Sequence, residues 1–89
     1  MRAVITVIGK DTVGILAKIS TECASNGVNI MDVSQTVMQD MFVMTMLADI
    51  TESTIDCTEL ADRLTESVSG MGLQIHVMHE DIFNSMHNI

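Results

Sequence analysis

The chain has no tryptophan and no tyrosine, and its only two phenylalanines are Phe42 and Phe83. Bases of single-stranded nucleic acid stack on aromatic platforms, and this sequence cannot build one. Positive charge is equally scarce. Arg2, Lys10, Lys18 and Arg63 are the four cations, they are scattered, and the net charge is −8. A nucleic-acid binder needs a basic patch to displace counterions from phosphates, and an anionic membrane surface makes the same demand. Neither partner is expected; the acidic excess keeps a small domain soluble. Cysteine is limited to Cys23 and Cys57. Each falls on the apolar stripe of an expected helix, so both read as buried, inert thiols rather than a disulfide pair. No hydrophobic run is long enough to span a bilayer. The apolar N-terminal stretch is short and broken by Gly9-Lys10-Asp11, which is not a secretion signal. A cytoplasmic location is expected.

What is abundant is aliphatic and sulfur-containing. Hydrophobic residues make up 47% of the 89, and nine are methionines. That composition supports a packed core and excludes a disordered chain. Methionine takes the volume that aromatics usually fill and adapts its shape readily. The length allows one domain, residues 1–89, with a core over 1–79 and a helical tail over 80–89.

The sharpest local signal is Gly9-Lys10-Asp11-Thr12-Val13-Gly14. Before it, Ala3, Ile5 and Val7 alternate with Val4, Thr6 and Ile8, which reads as a central strand. After it, a helix is expected over about Val13 to Ser25. Its inner stripe is Ile15, Leu16, Ile19 and Cys23, its cap Asp11 or Thr12, and its stop Gly27. A polar loop with two glycines thus stands where a strand hands over to a helix. Such junctions present unpaired backbone N–H groups and the positive end of the helix dipole, which suits a small carboxylate or phosphate. It is not a P-loop, because Ile15-Leu16 follows Gly14 where Lys-Ser/Thr would be needed.

Val28 to Val37 reads as a second strand, with Ile30, Asp32, Ser34 and Thr36 on one face. Met41 to Asp49 reads as a third, and Gln39-Asp40 joins the two as a hairpin. Asp56-Cys57-Thr58-Glu59 has the form of a capping box. It opens a helix with Cys57, Leu60, Ala61, Leu64 and Val68 inward, closed by Gly70 and Gly72. Leu73 to Met78 is a fourth strand, and Ile82, Phe83, Met86 and Ile89 give the tail an apolar helical stripe for docking. The order β-α-β-β-α-β with short links predicts an α+β, ferredoxin-like fold. Its four-stranded antiparallel sheet runs 4-1-3-2, with two helices on one face and a short C-terminal helix. The other face, carrying Val, Met and Leu, needs a partner, and a homodimer is expected.

The apolar strand, then Gly9-Lys10-Asp11-Thr12-Val13-Gly14-Ile15-Leu16-Ala17, then Asn26-Gly27-Val28-Asn29-Ile30 resembles the ACT domain. The likeness covers nearly the whole chain. The tail Asp81-Ile82-Phe83-Asn84-Ser85-Met86-His87 fits the small stand-alone bacterial ACT proteins related to glycine-cleavage regulators. The resemblance implies a regulatory module that pairs, binds a small effector such as an amino acid near the pairing surface, and acts on another protein. It also implies site residues: Asp11, Gly14 and Asn29, with backbone at Val13, Ile15 and Ile30. Asp11 suits an α-ammonium, Asn29 offers donor and acceptor, and Gly14 leaves the backbone open to a ligand. Many relatives have proline where this chain has Val13, which leaves this loop less rigid.

Other chemistries find less support. His76, His79 and His87, near Glu80 and Asp81, have loose spacing, and His76 and His79 would face opposite ways on a strand. The Cys-x-x-Cys of metallochaperones with this fold is missing. Acylphosphatases need an arginine over the loop that here carries Lys10. No nucleophile stands beside a histidine in a recognisable pattern. No enzyme activity, cofactor or metal is expected. The alternative to an effector-binding regulator is a ligand-free dimerisation or adaptor module.

Overall fold

A computed structural model of the chain describes residues 1–10 and 13–87, with the side chain of His87 left aside. The elements follow the order β1 (Arg2–Lys10), α1 (Ile15–Ser25), β2 (Asn29–Met38), β3 (Met41–Asp49), α2 (Cys57–Ser67), β4 (Leu73–His79) and α3 (Glu80–His87). The strands form one sheet in the order β2-β3-β1-β4, every neighbouring pair antiparallel. This is the ferredoxin-like arrangement expected from the sequence.

Alternation along the strands decides the layering. Ala3, Ile5 and Val7 lie opposite Ala48, Met46 and Met44, and all six are fully buried. Ile15, Ile19 and Cys23 of α1 and Leu60 and Leu64 of α2 join them, with Val68, in one core. Both helices therefore cover the same face. Two buried methionines sit at the centre of that core, where a more aromatic sequence would use rings. Burying each large apolar side chain contributes on the order of 1.5–3 kcal/mol.

The helix ends are set by local chemistry. Asp56 caps α2 by accepting a 2.8 Å hydrogen bond from the Glu59 N–H, as the capping-box reading requires. At the end of α1, the Val28 N–H reaches Cys23 O at 2.9 Å and the Gly27 N–H reaches Ala24 O at 3.2 Å. With Gly27 at φ 75°, this is a Schellman closure, and a Cβ at Gly27 would strike the Glu52 carbonyl.

Four expectations need correction. Helix α1 begins at Ile15, not Val13, because Gly14 takes φ 89° and cannot continue a right-handed helix backward. Leu16 lies off the inner stripe and is exposed, being one residue round from Ile15. Strand β2 starts one residue later than expected and carries a bulge. Ile30 pairs with Ala48 but Asp32 pairs with Leu47, so Met31 is the extra residue. The bulge flips the alternation, and Ile30 shares the helix-covered face with Val33 rather than with Asp32, Ser34 and Thr36. Finally, the tail forms α3, yet Ile82 and Met86 are exposed at 52% and 64%. Only Phe83 of that stripe is half-buried; Ile89 lies outside the described residues.

The sheet face away from α1 and α2 is less bare than its composition suggests. Val4 is only 5% exposed, and Ile8, Val43, Leu47 and Met78 are half-buried. Helix α3 packs against β1 and β4. It is tied down by Arg2, whose guanidinium holds Glu80 Oε1 at 2.8 Å.

Candidate functional site

The loop after β1 carries its chemistry in the backbone. Gly14 is the N-cap of α1 in the left-handed region, and its carbonyl accepts the first helical bond from the Lys18 N–H at 3.1 Å. No described side chain caps this end. The N–H groups of the first helical turn, from Ile15 onward, have no helical carbonyl to bond. Space above Gly14 is open, because a Cβ built there meets nothing within 4 Å. Val13 beside it is 97% exposed. The site is a shallow, N–H-lined ledge at the positive end of a helix dipole.

The expected site residues do not all meet on one chain. Val13, Gly14 and Ile15 share the ledge, with Ile15 turning its side chain into the core. Asp11 lies outside the described residues. Asn29 and Ile30 stand at the opposite end of the molecule. The register shows why: Asn29 pairs with Asp49, and Asp49 with Arg2 at the start of β1, whereas the ledge follows Lys10 at its end. Eight strand steps at ~3.3 Å separate the two ends by roughly 26 Å. Asn29 is exposed and Ile30 is half-buried against the core.

Around Asn29 the surface is polar and charged. Asp49 accepts a 2.9 Å bond from the Thr51 N–H, and the Thr51 hydroxyl and amide hold its carboxyl below the usual carboxylate range. The N-terminal ammonium donates to Thr51 Oγ1 at 2.8 Å. Arg2 and Glu80 complete this end.

Sequence reasoning passed over Asn26. It is 3% exposed, and its Nδ2 donates to Glu22 O at 2.7 Å and to Glu22 Oε2 at 2.9 Å. Its Oδ1 accepts from Arg63 Nη1 at 3.4 Å, and Arg63 Nη2 reaches Glu59 at 2.8 Å. Asn26 O also accepts from the Thr54 N–H at 3.0 Å. One side chain thus ties α1 to α2 and fixes the backbone that leads into Asn29. The signal available was Asn26-Gly27 itself, a polar residue at a helix stop with no solvent-facing reason to be there.

Among the described residues, no group of three or more His, Cys, Asp or Glu side chains gathers to hold a metal ion. Cys23 and Cys57 are free, and burial pushes the Cys23 thiol up to about 11. No helix among the described residues is long and apolar enough to cross a membrane.

The sequence profile of the ACT domain matches residues 2–78. The chain belongs to the ACT domain family. ACT domains are regulatory, ligand-binding modules. The chain is 51% identical to the UPF0237 protein of Clostridium perfringens over 89 residues, which is all of both chains. It is 46% identical to the UPF0237 protein of Methanocaldococcus jannaschii over 88 residues, 99% of this chain and 98% of that one. The small relatives are therefore archaeal as well as bacterial, which widens the bacterial group suggested by the sequence. Among solved structures, an ACT domain protein from Streptococcus pneumoniae superposes with a TM-score of 0.78 at 35% identity, covering 93% of each chain. A formyltetrahydrofolate deformylase from Pseudomonas putida reaches 0.77 over 91% of this chain and 29% of its own, at 8% identity, which speaks to the fold alone.

Proposed function

We propose that this ACT domain is a non-enzymatic regulatory module that binds a small effector, an amino acid, between two copies of itself and signals to another protein. The observation that carries the reading is the ledge at Gly14, exposed, without a described side-chain cap, and lined by first-turn N–H groups that have no helical carbonyl to bond. A carboxylate fits against Gly14 and Ile15, and Asp11 is assigned the ammonium.

The 26 Å estimated between ledge and Asn29 makes the pairing part of the chemistry. Strand β2 is a sheet edge with an open row of backbone groups. Antiparallel pairing of β2 with its mate brings the Asn29 end of one copy to the Gly14 end of the other. Each of two sites then takes Val13, Gly14 and Ile15 from one copy and Asn29 and Ile30 from its mate. The free thiols Cys23 and Cys57 suit a reducing cytoplasm, where we place the protein.

Calorimetry against the twenty amino acids tests the binding. Gly14→Asn tolerates the left-handed backbone and fills the space above the ledge, so it should abolish binding with little change in melting. Asp11→Ala removes a charge-assisted hydrogen bond of about 1.5–3 kcal/mol, a loss of roughly tenfold to a hundredfold in affinity. Mixing Gly14→Asn with Asn29→Ala chains should restore one intact site per heterodimer. Confirmed heterodimers that bind nothing would sink the shared site. If no amino acid binds at all, the ligand-free adaptor reading replaces this one.

A further inference from the structure

Of the four asparagines in the chain, Asn26 is the one followed by glycine. In an Asn-Gly pair the glycine amide nitrogen can attack the asparagine side-chain carbonyl, because no Cβ shields it. Two separate demands of the fold put that pair here. Position 27 takes φ 75°, and a Cβ on it would strike the Glu52 carbonyl, so glycine is required. Position 26 needs a side chain that donates to Glu22 and accepts from Arg63, which an amide does and a carboxylate does not. The native geometry keeps the pair from reacting. Asn26 has ψ 11°, so the Gly27 nitrogen nearly eclipses the backbone nitrogen of Asn26 and stands away from its side chain. The Gly27 N–H donates to Ala24 O at 3.2 Å, and Nδ2, the nitrogen that would leave, is held by bonds of 2.7 and 2.9 Å. The Thr54 N–H, 3.0 Å from Asn26 O, fixes the peptide group that would have to rotate.

We propose that Asn26-Gly27 is a latent modification site, shut in the folded chain and converted to aspartate and isoaspartate when the end of α1 opens. The reactants are the chain and water. The Gly27 nitrogen loses its proton to solvent and bonds to Asn26 Cγ. The Cγ–Nδ2 bond breaks, and Nδ2 takes up a proton and leaves as ammonia. Water then opens the five-membered ring at one of its two carbonyls. Cleavage at Cγ restores the main chain and leaves aspartate; cleavage at the backbone carbonyl leaves isoaspartate, whose main chain is longer by one carbon. Neither product rebuilds the joint. Aspartate cannot donate to Glu22 O or Oε2, and isoaspartate also moves Gly27 and Val28 out of register with Ala24 O and Cys23 O. One opening of the helix end therefore leaves a permanent mark, and the marked chain opens more readily. The inference concerns the joint between α1 and β2 and does not depend on the effector reading.

Peptide mapping by mass spectrometry tests this on the full chain, incubated at mildly alkaline pH in buffer and in guanidinium chloride. Asn26 should convert more than about tenfold faster in denaturant, because the reaction follows the open population. In denaturant it should also outpace Asn84, which precedes Ser85 and lies exposed on α3 in the fold. Gly27→Ala, compared in denaturant where its folding does not matter, should slow the loss at position 26 several-fold. In buffer, Arg63→Ala removes the bond to Oδ1 and the tie to Glu59, and should speed conversion of Asn26 while leaving Asn84 unchanged. After dilution from denaturant, converted chains should fall short of the native melting temperature that unconverted chains of the same sample regain. Conversion in buffer within about threefold of that in denaturant would overturn the proposal. So would an Asn26 no faster than Asn84 in denaturant, or converted chains that melt like native ones.

Discussion

Replacing Asn26 by aspartate changes one atom and should cost the fold a large part of its stability. The amide nitrogen sits 2.7 Å from Glu22 O and 2.9 Å from Glu22 Oε2, donating to both. An oxygen there donates to neither and faces two acceptors, one of them charged. Two hydrogen bonds worth about 0.5–1.5 kcal/mol each are lost. A carboxylate is also buried beside another, and Arg63 at 3.4 Å compensates only in part. The sum is about 2–4 kcal/mol at pH 7. For a domain of this size that lowers Tm by roughly 10–25 °C. Asn26→Ala loses the bonds without adding charge and should cost about 1–3 kcal/mol. The sign of the pH dependence separates the two. Burial near Glu22 raises the new carboxyl's folded pKa above its unfolded value of ~3.9. Below that value both states are protonated and the extra penalty vanishes; as pH rises through it, the unfolded chain ionises first and the penalty grows. Urea denaturation of Asn26→Asp, Asn26→Ala and the native chain between pH 4 and 7 measures this. An aspartate penalty that matches alanine's and does not vary with pH would refute the buried-network argument.

Gly27→Ala should destabilise by about 2–4 kcal/mol, combining a left-handed backbone with a Cβ pressed on the Glu52 carbonyl, and urea melts will show it. Leu64→Ala, at a fully buried position, should cost about 2–5 kcal/mol by the same assay. The Cys23 thiol, pushed up to about 11 from 9.0 chiefly by burial, should resist alkylation in the native state at pH 8 and react on unfolding. Because its folded pKa is raised, the unfolded chain loses the proton first, and Cys23→Ala should flatten the fall in stability between pH 9 and 11. Truncation after His79 removes the Arg2–Glu80 pair and the packing of α3 on β1 and β4, and should destabilise the fold by about 1–3 kcal/mol in urea melts.

Element order, sheet topology and the helix-covered face were legible because they follow from strict patterns. Ala3, Ile5, Val7 and Phe42, Met44, Met46, Ala48 keep a two-residue period, and Leu60, Leu64 and Val68 a helical one. The capping box at Asp56 and the stop at Gly27 were legible because each needs a particular side chain or none. The misreadings fall where one backbone angle or one inserted residue decides. Gly14 fits a helix start or a left-handed turn equally well in sequence, and only its φ moved the boundary past Val13. The bulge at Met31 left a trace: apolar residues at 28 and 30 give way to 33 and 37, a change of parity that marks an extra residue. Of the candidate site, the glycine loop between β1 and α1 was legible but its separation from Asn29 was not, because Gly14 and Asn29 each look suited to a ligand and nothing local says they lie at opposite ends.

That separation bears on how a module of 89 residues can respond to an effector. A ligand seated wholly on the Gly14 ledge would touch one turn of one helix, and it would have little to pull on. Binding shifts a conformation only by as much as it favours one state over another. In the proposed dimer, a ligand bridging Gly14 of one copy and Asn29 of its mate touches both copies and so favours one relative placement of the two. Asn29 is joined through Gly27 and Asn26 to the Glu22–Arg63–Glu59 network, which links α1 and α2. In the proposed dimer a shift at the β2 edge carries the helix layer with it as one rigid copy, and the outer surface of that layer carries Glu22, Glu59, Asp62 and Glu66. The partner's signal is then the arrangement of two rigid copies rather than a rearrangement within either. On that view Asn26→Ala should weaken the coupling of effector binding to dimerisation while leaving the ledge itself intact, so effector affinity measured well above the dimer's Kd should stay within about threefold of the native value. A larger loss there would mean that the network shapes the ledge directly.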